Sequence, residues 1–352
     1  MSAATQAYLN TRVSAMVSRL LPSERITALI PASLAELAER FGLEPLLDEG
    51  LSKRAKSRAA EQALIQVLFA DLQVLIRPMS AVERSLMLAW ARKYELFNLK
   101  TLIRGKLYDL EPAEIRASLY DLPGYDHLPH KELFRAESVP ELLRILEQGP
   151  HRLIARQARE VFEQKREPFA LEAVIDQRYY HELARLVMQF PSDSQQPLRA
   201  LLGILLDAVD LLWLLRFRLS YQLSPSETYY YLVSSFRLLH RERLLALVNH
   251  DALEPLLAAL PAPLNEIMAG CDSIIDVQSR IGAYTAEEVR RLIVRSSSGV
   301  ARALGYLVLR ERELLMLFSL IQGKLLGLPR DLVEIGIDAA APQCPRGMAT
   351  AA

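Results

Sequence analysis

The chain has 352 residues, half of them apolar and about a quarter charged, and its 42 basic residues balance its 42 acidic ones. That length suits two or three domains with ample core, while zero net charge leaves no basic surplus of the kind nucleic-acid phosphates demand. Its two cysteines, Cys271 and Cys344, are too few for a disulfide framework or a metal cluster, and read as free thiols of a reducing cytoplasm.

Glycine is scarce, at 14 residues, and strand-like alternation of Val, Ile and Thr is nearly absent. The predicted fold class is all-α, with short connections punctuated by proline. Residues 7 to 21 keep helical spacing and stop at Pro22; Ser33 to Phe41 reads as a helix capped by Pro31-Ala32-Ser33 and ended by Gly42. The basic run Lys53-Arg54-Ala55-Lys56-Ser57-Arg58 reads as a solvated helix face or exposed turn, with contact to an acidic partner or anionic lipid headgroups as the functional alternative. Glu61 to Ile76 leads through Pro78 into a long helix from about Ala81 to Tyr108. Asp121 to His130 packs turn formers together and reads as the clearest linker. His127 and His130 with Asp126 could bind a metal there, but no further ligand lies nearby and a solvated interdomain loop is the simpler reading.

Ser138-Val139-Pro140-Glu141 starts a helix, and Glu172 to Phe190 matches Glu61 to Ile76. Pro191 to Ser194 reads as a turn before a helix from Leu198 to Gln222. Pro255, Pro261 and Pro263 break short helices, and Thr285-Ala286-Glu287-Glu288 reads as a helix start. The last long helix begins near Gly299, behind the small polar turn or cap Ser296-Ser297-Ser298. Beyond Ile337 disorder is expected. The most apolar stretch, Leu198 to Leu215, contains Arg199, Asp207 and Asp210, so no transmembrane helix is expected; nor does Met1 to Leu21 have a signal peptide's apolar core. With six scattered histidines, no His-x3-His pair and no glycine-rich phosphate loop, neither catalysis nor a cofactor is expected. Tyr229-Tyr230-Tyr231, Tyr179-Tyr180 and Phe69 read as core or interface packing.

One pattern organises the rest. Acid, Leu, Leu, base recur at helical offsets 0, 4, 7 and 11: Glu95, Leu99, Leu102, Lys106; Asp207, Leu211, Leu214, Arg218; Glu313, Leu317, Leu320, Lys324. At 3.6 residues per turn these offsets fall near about 0°, 40°, 340° and 20°, one edge of a helix. The copies start 112 and then 106 residues apart, and each runs into a proline, Pro112, Pro225 or Pro329, that opens the next helix. This predicts three homologous helical repeats at 1–120, 121–235 and 236–337, with a tail at 338–352. Acid and base lie about 16 Å apart along the axis and cannot pair with each other. Either each is satisfied within its own domain, or the three edges face a shared cavity and grip a partner helix.

The segment Tyr94-Glu95-Leu96-Phe97-Asn98-Leu99-Lys100-Thr101-Leu102-Ile103-Arg104-Gly105-Lys106 resembles the signature of the C-subunit family of V/A-type ATPases, whose member in eukaryotic enzymes is the d subunit. Arg312-Glu313-Leu314 with Ile321 to Leu328 resembles that family's C-terminal segment, and Tyr8-Leu9-Asn10-Thr11-Arg12-Val13 its opening. In the second repeat Asp210-Leu211-Leu212-Trp213 departs from the usual acid–Asn–Leu run. The resemblance implies a funnel of three helical domains about a pseudo-threefold axis. It also implies a non-catalytic rotor component at the cytoplasmic face of the membrane. That component joins the D and F proteins of the central shaft to the proteolipid ring, with the membrane stator protein as a further contact. Candidate shaft or ring contacts are Glu95, Arg104, Lys106, Asp207, Arg216, Arg218, Glu313 and Lys324. The rival readings are a helical-repeat scaffold or adaptor without a rotary role, and an enzyme built on an all-α cavity.

Overall fold

The computed structural model describes residues 3–122, 124–165 and 167–340. Among the described residues every regular element is helical, as the composition predicts. In chain order the helices are α1 (Ala3–Val17), α2 (Ser23–Thr27), α3 (Leu34–Phe41), α4 (Lys53–Ile76), α5 (Ala81–Leu107), α6 (Pro112–Ala117), α7 (His130–Arg135), α8 (Val139–Leu146), α9 (Arg152–Lys165), α10 (Pro168–Val187), α11 (Ser192–Leu215), α12 (Pro225–Tyr231), α13 (Arg241–Leu247), α14 (Leu253–Ala258), α15 (Leu264–Ile267), α16 (Ile274–Arg295), α17 (Gly299–Leu326) and α18 (Arg330–Asp338).

Local chemistry sets many of these boundaries. Ser33 and Glu36 form a reciprocal capping box at the start of α3, and Gly42 ends it in the left-handed conformation. Ser52, Ser138, Ser273 and Ser298 each accept a backbone N–H in the first turn of α4, α8, α16 and α17. The basic run therefore forms the opening turns of α4, where Arg58 pairs with Glu61 at 2.7 Å.

The structure corrects several expectations. Pro191 stands at the N-cap of α11, which already begins at Ser192, because the N–H that a proline lacks at a helix start has no intrahelical acceptor. Thr285 lies inside α16 and is buried, not at a helix start, since Ser273, bonded to the Asp276 N–H, supplies a better cap twelve residues earlier. Asp338 ends α18 instead of opening a disordered tail; the remainder of that tail from 341 lies outside the described residues.

The chain divides into two compact units, one of Ser85–Leu186 and one of Met1–Arg84 with Val187–Pro342. Asp121 to His130 falls inside the first of these. Within Ser85–Leu186, the long helices α5 and α10 are joined by Tyr179 Oη, which donates to Trp90 O at 2.8 Å, and by three ion pairs. Within the other unit α11 packs on α16, while α17 packs on α4, α1, α16 and α18. Each stripe helix is thereby paired with the long helix that precedes the next stripe in sequence, and α17, the last, takes α4, the first. By length and composition α4 could cross a membrane. Here its Leu64, Leu68, Leu72 and Leu75 are buried, as they are in the core helix of a globular protein.

Candidate functional site

The stripe residues are the repeated polar groups of the molecule, and their surroundings repeat as well. Glu95, Asp207 and Glu313 are 2%, 1% and 3% exposed. A carboxylate so buried needs donors around it. Glu95 Oε1 accepts the backbone N–H of His127. Asp207 Oδ1 accepts those of Leu238 and Leu239 at 3.1 and 2.9 Å. Glu313 Oε1 accepts that of Leu21 at 2.8 Å. Each also has a basic side chain beside it: His151 Nε2 at 3.3 Å from Glu95, Arg237 at 3.2 Å from Asp207, and Arg310 against Glu313. Burial pushes the Asp207 carboxyl up, against the pull of the Leu239 N–H and the Arg237 charge.

Eleven residues along each helix the half-buried base donates to a backbone carbonyl of the same loop. Lys106 Nζ reaches Phe134 O at 2.8 Å, Arg218 Nε reaches His250 O at 3.3 Å, and Lys324 Nζ reaches Ile30 O. Arg218 also donates to Leu223 O. Acid and base thus clamp two points of one incoming segment, a donor point and an acceptor point. For α5 the segment is 127–134, for α11 it is 238–250, and for α17 it is 21–30, from the opposite end of the chain.

A second position repeats in part. Asn98 Oδ1 accepts the Tyr120 N–H at 2.7 Å while its amide donates to Tyr120 O at 2.9 Å. Asp210, the residue at which the second repeat departs from the pattern, accepts the Val233 N–H at 2.9 Å in the same manner. Asp210 is fully buried, its Oδ2 has no hydrogen-bond partner among the described residues, and burial lifts its carboxyl well above the usual range, with the Asp207 charge adding to the shift. The third repeat has Met316 at this place.

Braces unforeseen in the sequence hold the stripe helices to their partners. Lys100 Nζ sits 2.8 Å from Asp176 with both side chains buried, and Arg104 lies 3.4 Å from Glu172, whose carboxyl burial pushes up. On α17, Arg310 Nε reaches Asp71 of α4 at 3.1 Å, and Tyr306 Oη donates to the same carboxylate at 2.7 Å. Lys100, between Leu99 and Leu102 on an apolar helix, was the legible signal; the acids answering it lie on another helix and were not. Arg216 donates to Gln278 Oε1 at 3.4 Å, and burial lowers its pKa.

All eight of Glu95, Arg104, Lys106, Asp207, Arg216, Arg218, Glu313 and Lys324 therefore have polar partners within their own compact unit. What they do chemically is hold segments of chain against long helices.

Residues 9–334 match the family model described as ATP synthase (C/AC39) subunit. The chain is 25% identical over 334 residues to the C subunit of the A-type ATP synthase of Methanosarcina mazei, covering 93% of this chain and 91% of that one. It is 25% identical over 336 residues to the protein of the same name from Methanocaldococcus jannaschii, covering 92% and 83%, and 23% identical over 333 residues to that of Methanosarcina barkeri, covering 93% and 91%.

Proposed function

The chain belongs to the ATP synthase (C/AC39) subunit family, and from that membership we propose that it is a non-catalytic rotor component of a V/A-type rotary ATPase. In this reading it connects the D and F proteins of the central shaft to the proteolipid ring and transmits torque for ATP-linked proton or sodium transport. It sits at the cytoplasmic face as a peripheral protein whose membrane contact runs through the ring. The proposal includes the arrangement implied by the family resemblance, three helical repeats about a pseudo-threefold axis forming a funnel.

The observation that carries it is the triple clamp. A part that passes torque must resist shear between its own elements, because compliance turns rotation into strain. In each repeat a buried carboxylate and a base some three turns away fix the incoming loop at two points. Among the described residues these charges serve positioning in all three copies alike, whereas a catalytic centre would single out one. The stripe residues enter the proposal as the stiffeners of the socket, with Arg104 and Arg216 at the ends of their helices as its nearest candidates for partner contact.

Reconstitution tests the reading. The purified chain added to isolated proteolipid rings should form a one-to-one cap, seen as a mass shift in native mass spectrometry, and the capped ring should then recruit the D–F shaft. A chain that binds neither ring nor shaft, yet stably captures some other protein, would return the scaffold reading.

A further inference from the structure

The three clamps differ in one chemical respect. Asp207 and Glu313 are neutralised by Arg237 and Arg310, guanidiniums that keep their charge at every physiological pH. Glu95 has only imidazoles: His151 Nε2 at 3.3 Å and His127 Nδ1 at 3.5 Å. The same segment places a third histidine, His130, 2.8 Å from Asp126 Oδ2. Three of the chain's six histidines thus fall within 25 residues, each against a carboxylate. Among the described residues no arginine or lysine pairs with Glu95 or Asp126; their other partners are the uncharged Asn98 amide and the His127 and Leu128 N–H groups. His151 is 3% exposed; its Nε2 lies beside Glu95 without a hydrogen bond of good geometry, and among the described residues its Nδ1 has no hydrogen-bond partner either.

We infer that residues 126–151 form a proton-strengthened clamp: the first repeat grips its loop more tightly when the His130 imidazole facing Asp126 is charged, while the third repeat's arginine-based clamp is indifferent to pH. Histidine changes charge between about pH 5 and 8. The Asp126 hydrogen bond holds His130 above the usual histidine range, outweighing burial. A base with a raised pKa in the folded state gives stability that is full at low pH and is lost as pH rises through that value. Asp126, held low by His130 although burial opposes it, titrates below this window. This inference does not depend on the rotary reading.

Hydrogen exchange of the intact chain, followed by mass spectrometry at pH 5.5 to 8 and corrected for intrinsic rates, tests it. Opening of 126–151 should increase severalfold across the window, as His130 gives up its proton. The comparator is 19–30, held by Glu313 and Arg310, where the change should be several times smaller; 237–250 is unsuited because the raised Asp207 carboxyl titrates in the same direction. Equal change in 126–151 and 19–30, or none in 126–151, overturns the inference. The double variant His130→Gln with His151→Gln should lose the pH response of 126–151 and exchange fast throughout; should it not fold, the wild-type profile alone decides.

Discussion

Asp210 shows how much one side chain can carry. It occupies the place of Asn98, accepting the same kind of backbone N–H, but a carboxylate cannot also donate as the Asn98 amide does. Burial penalises its charged form, which is the sense of its raised pKa. A carboxyl raised in the folded state stabilises below the ordinary carboxylate range and progressively costs stability as pH climbs toward the folded value. Asp210→Asn should therefore raise the melting temperature at pH 7–8, by an amount equivalent to about 1–3 kcal/mol, and the gain should shrink toward zero near pH 4. A gain independent of pH would mean that packing, not ionisation, separates the two residues. Lys100 and Asp176 present the opposite case, a buried pair whose separation strands a charge. Lys100→Met alone should cost about 3–5 kcal/mol in denaturant unfolding, and adding Asp176→Leu should recover much of it. At this scale the sequence was half legible. The stripe acids and bases stood out by their repetition, and their satisfaction within their own domains was one of two readings left open. His151, Arg237 and Asp71 were invisible as partners, because nothing in a linear pattern tells which loop returns to which helix.

Among elements, the exits of the three stripe helices explain why one copy looks irregular. Gly105 and Gly323 each leave a notch where the next short helix crosses: a Cβ there would lie 2.4 Å from Ile115 Cδ1 and 2.7 Å from Val333 Cγ2, respectively. The second repeat has buried Phe217 in this region, where the backbone widens into a π turn over Arg216–Ser220, and α12 presents the smaller Thr228. The extra residue of that turn shifts the chain by one. Asp109, Gln222 and Gly327 take up the left-handed exit, followed by Leu110, Leu223 and Leu328. A π turn is a local insertion that period counting cannot see, which is why a straight helix to Gln222 was expected. Gly323→Ala should be destabilising by about 1–3 kcal/mol, since valine is stiff and cannot swing aside. Gly323→Ala with Val333→Ala should restore part of the loss in thermal melts; an unchanged melting temperature for the single variant would show that α18 is not held in this notch. Helix identity was well read from caps and prolines, as at Ser33, Ser138 and Gly299. The Thr285 error arose because an acidic pair after a threonine resembles a first turn even where apolar spacing continues through it.

For the molecule as a whole, the instructive point is that α17 clamps residues 21–30, which come from the beginning of the chain. Read linearly, the third stripe lacks the loop that follows the other two, since only α18 comes after it in the described residues. The N-terminal segment stands in for that loop, and α4 gives α17 the long partner that α10 gives α5 and α16 gives α11. Repetition in sequence located the three stripe helices, but the closure of the last repeat by the first fifty residues is a fact of topology that no local pattern encodes. It has a thermodynamic consequence. Leu9, Val13, Ile26, Leu37 and Leu43 are buried, and at about 1.5–3 kcal/mol for each such side chain the segment contributes on the order of 10 kcal/mol as an upper bound. That rivals the net stability of a typical domain, about 5–15 kcal/mol. Without the segment, Glu313 would also lose the Leu21 N–H and Lys324 its carbonyl. If the chain is severed at Glu49-Gly50, before the cap of α4, the piece 50–352 alone should aggregate or melt far below the intact protein. Co-expressed with 1–49 it should copurify as a one-to-one complex and regain most of the melting temperature. A soluble 50–352 that melts with the intact chain would show that the N-terminal segment decorates the last repeat without completing it.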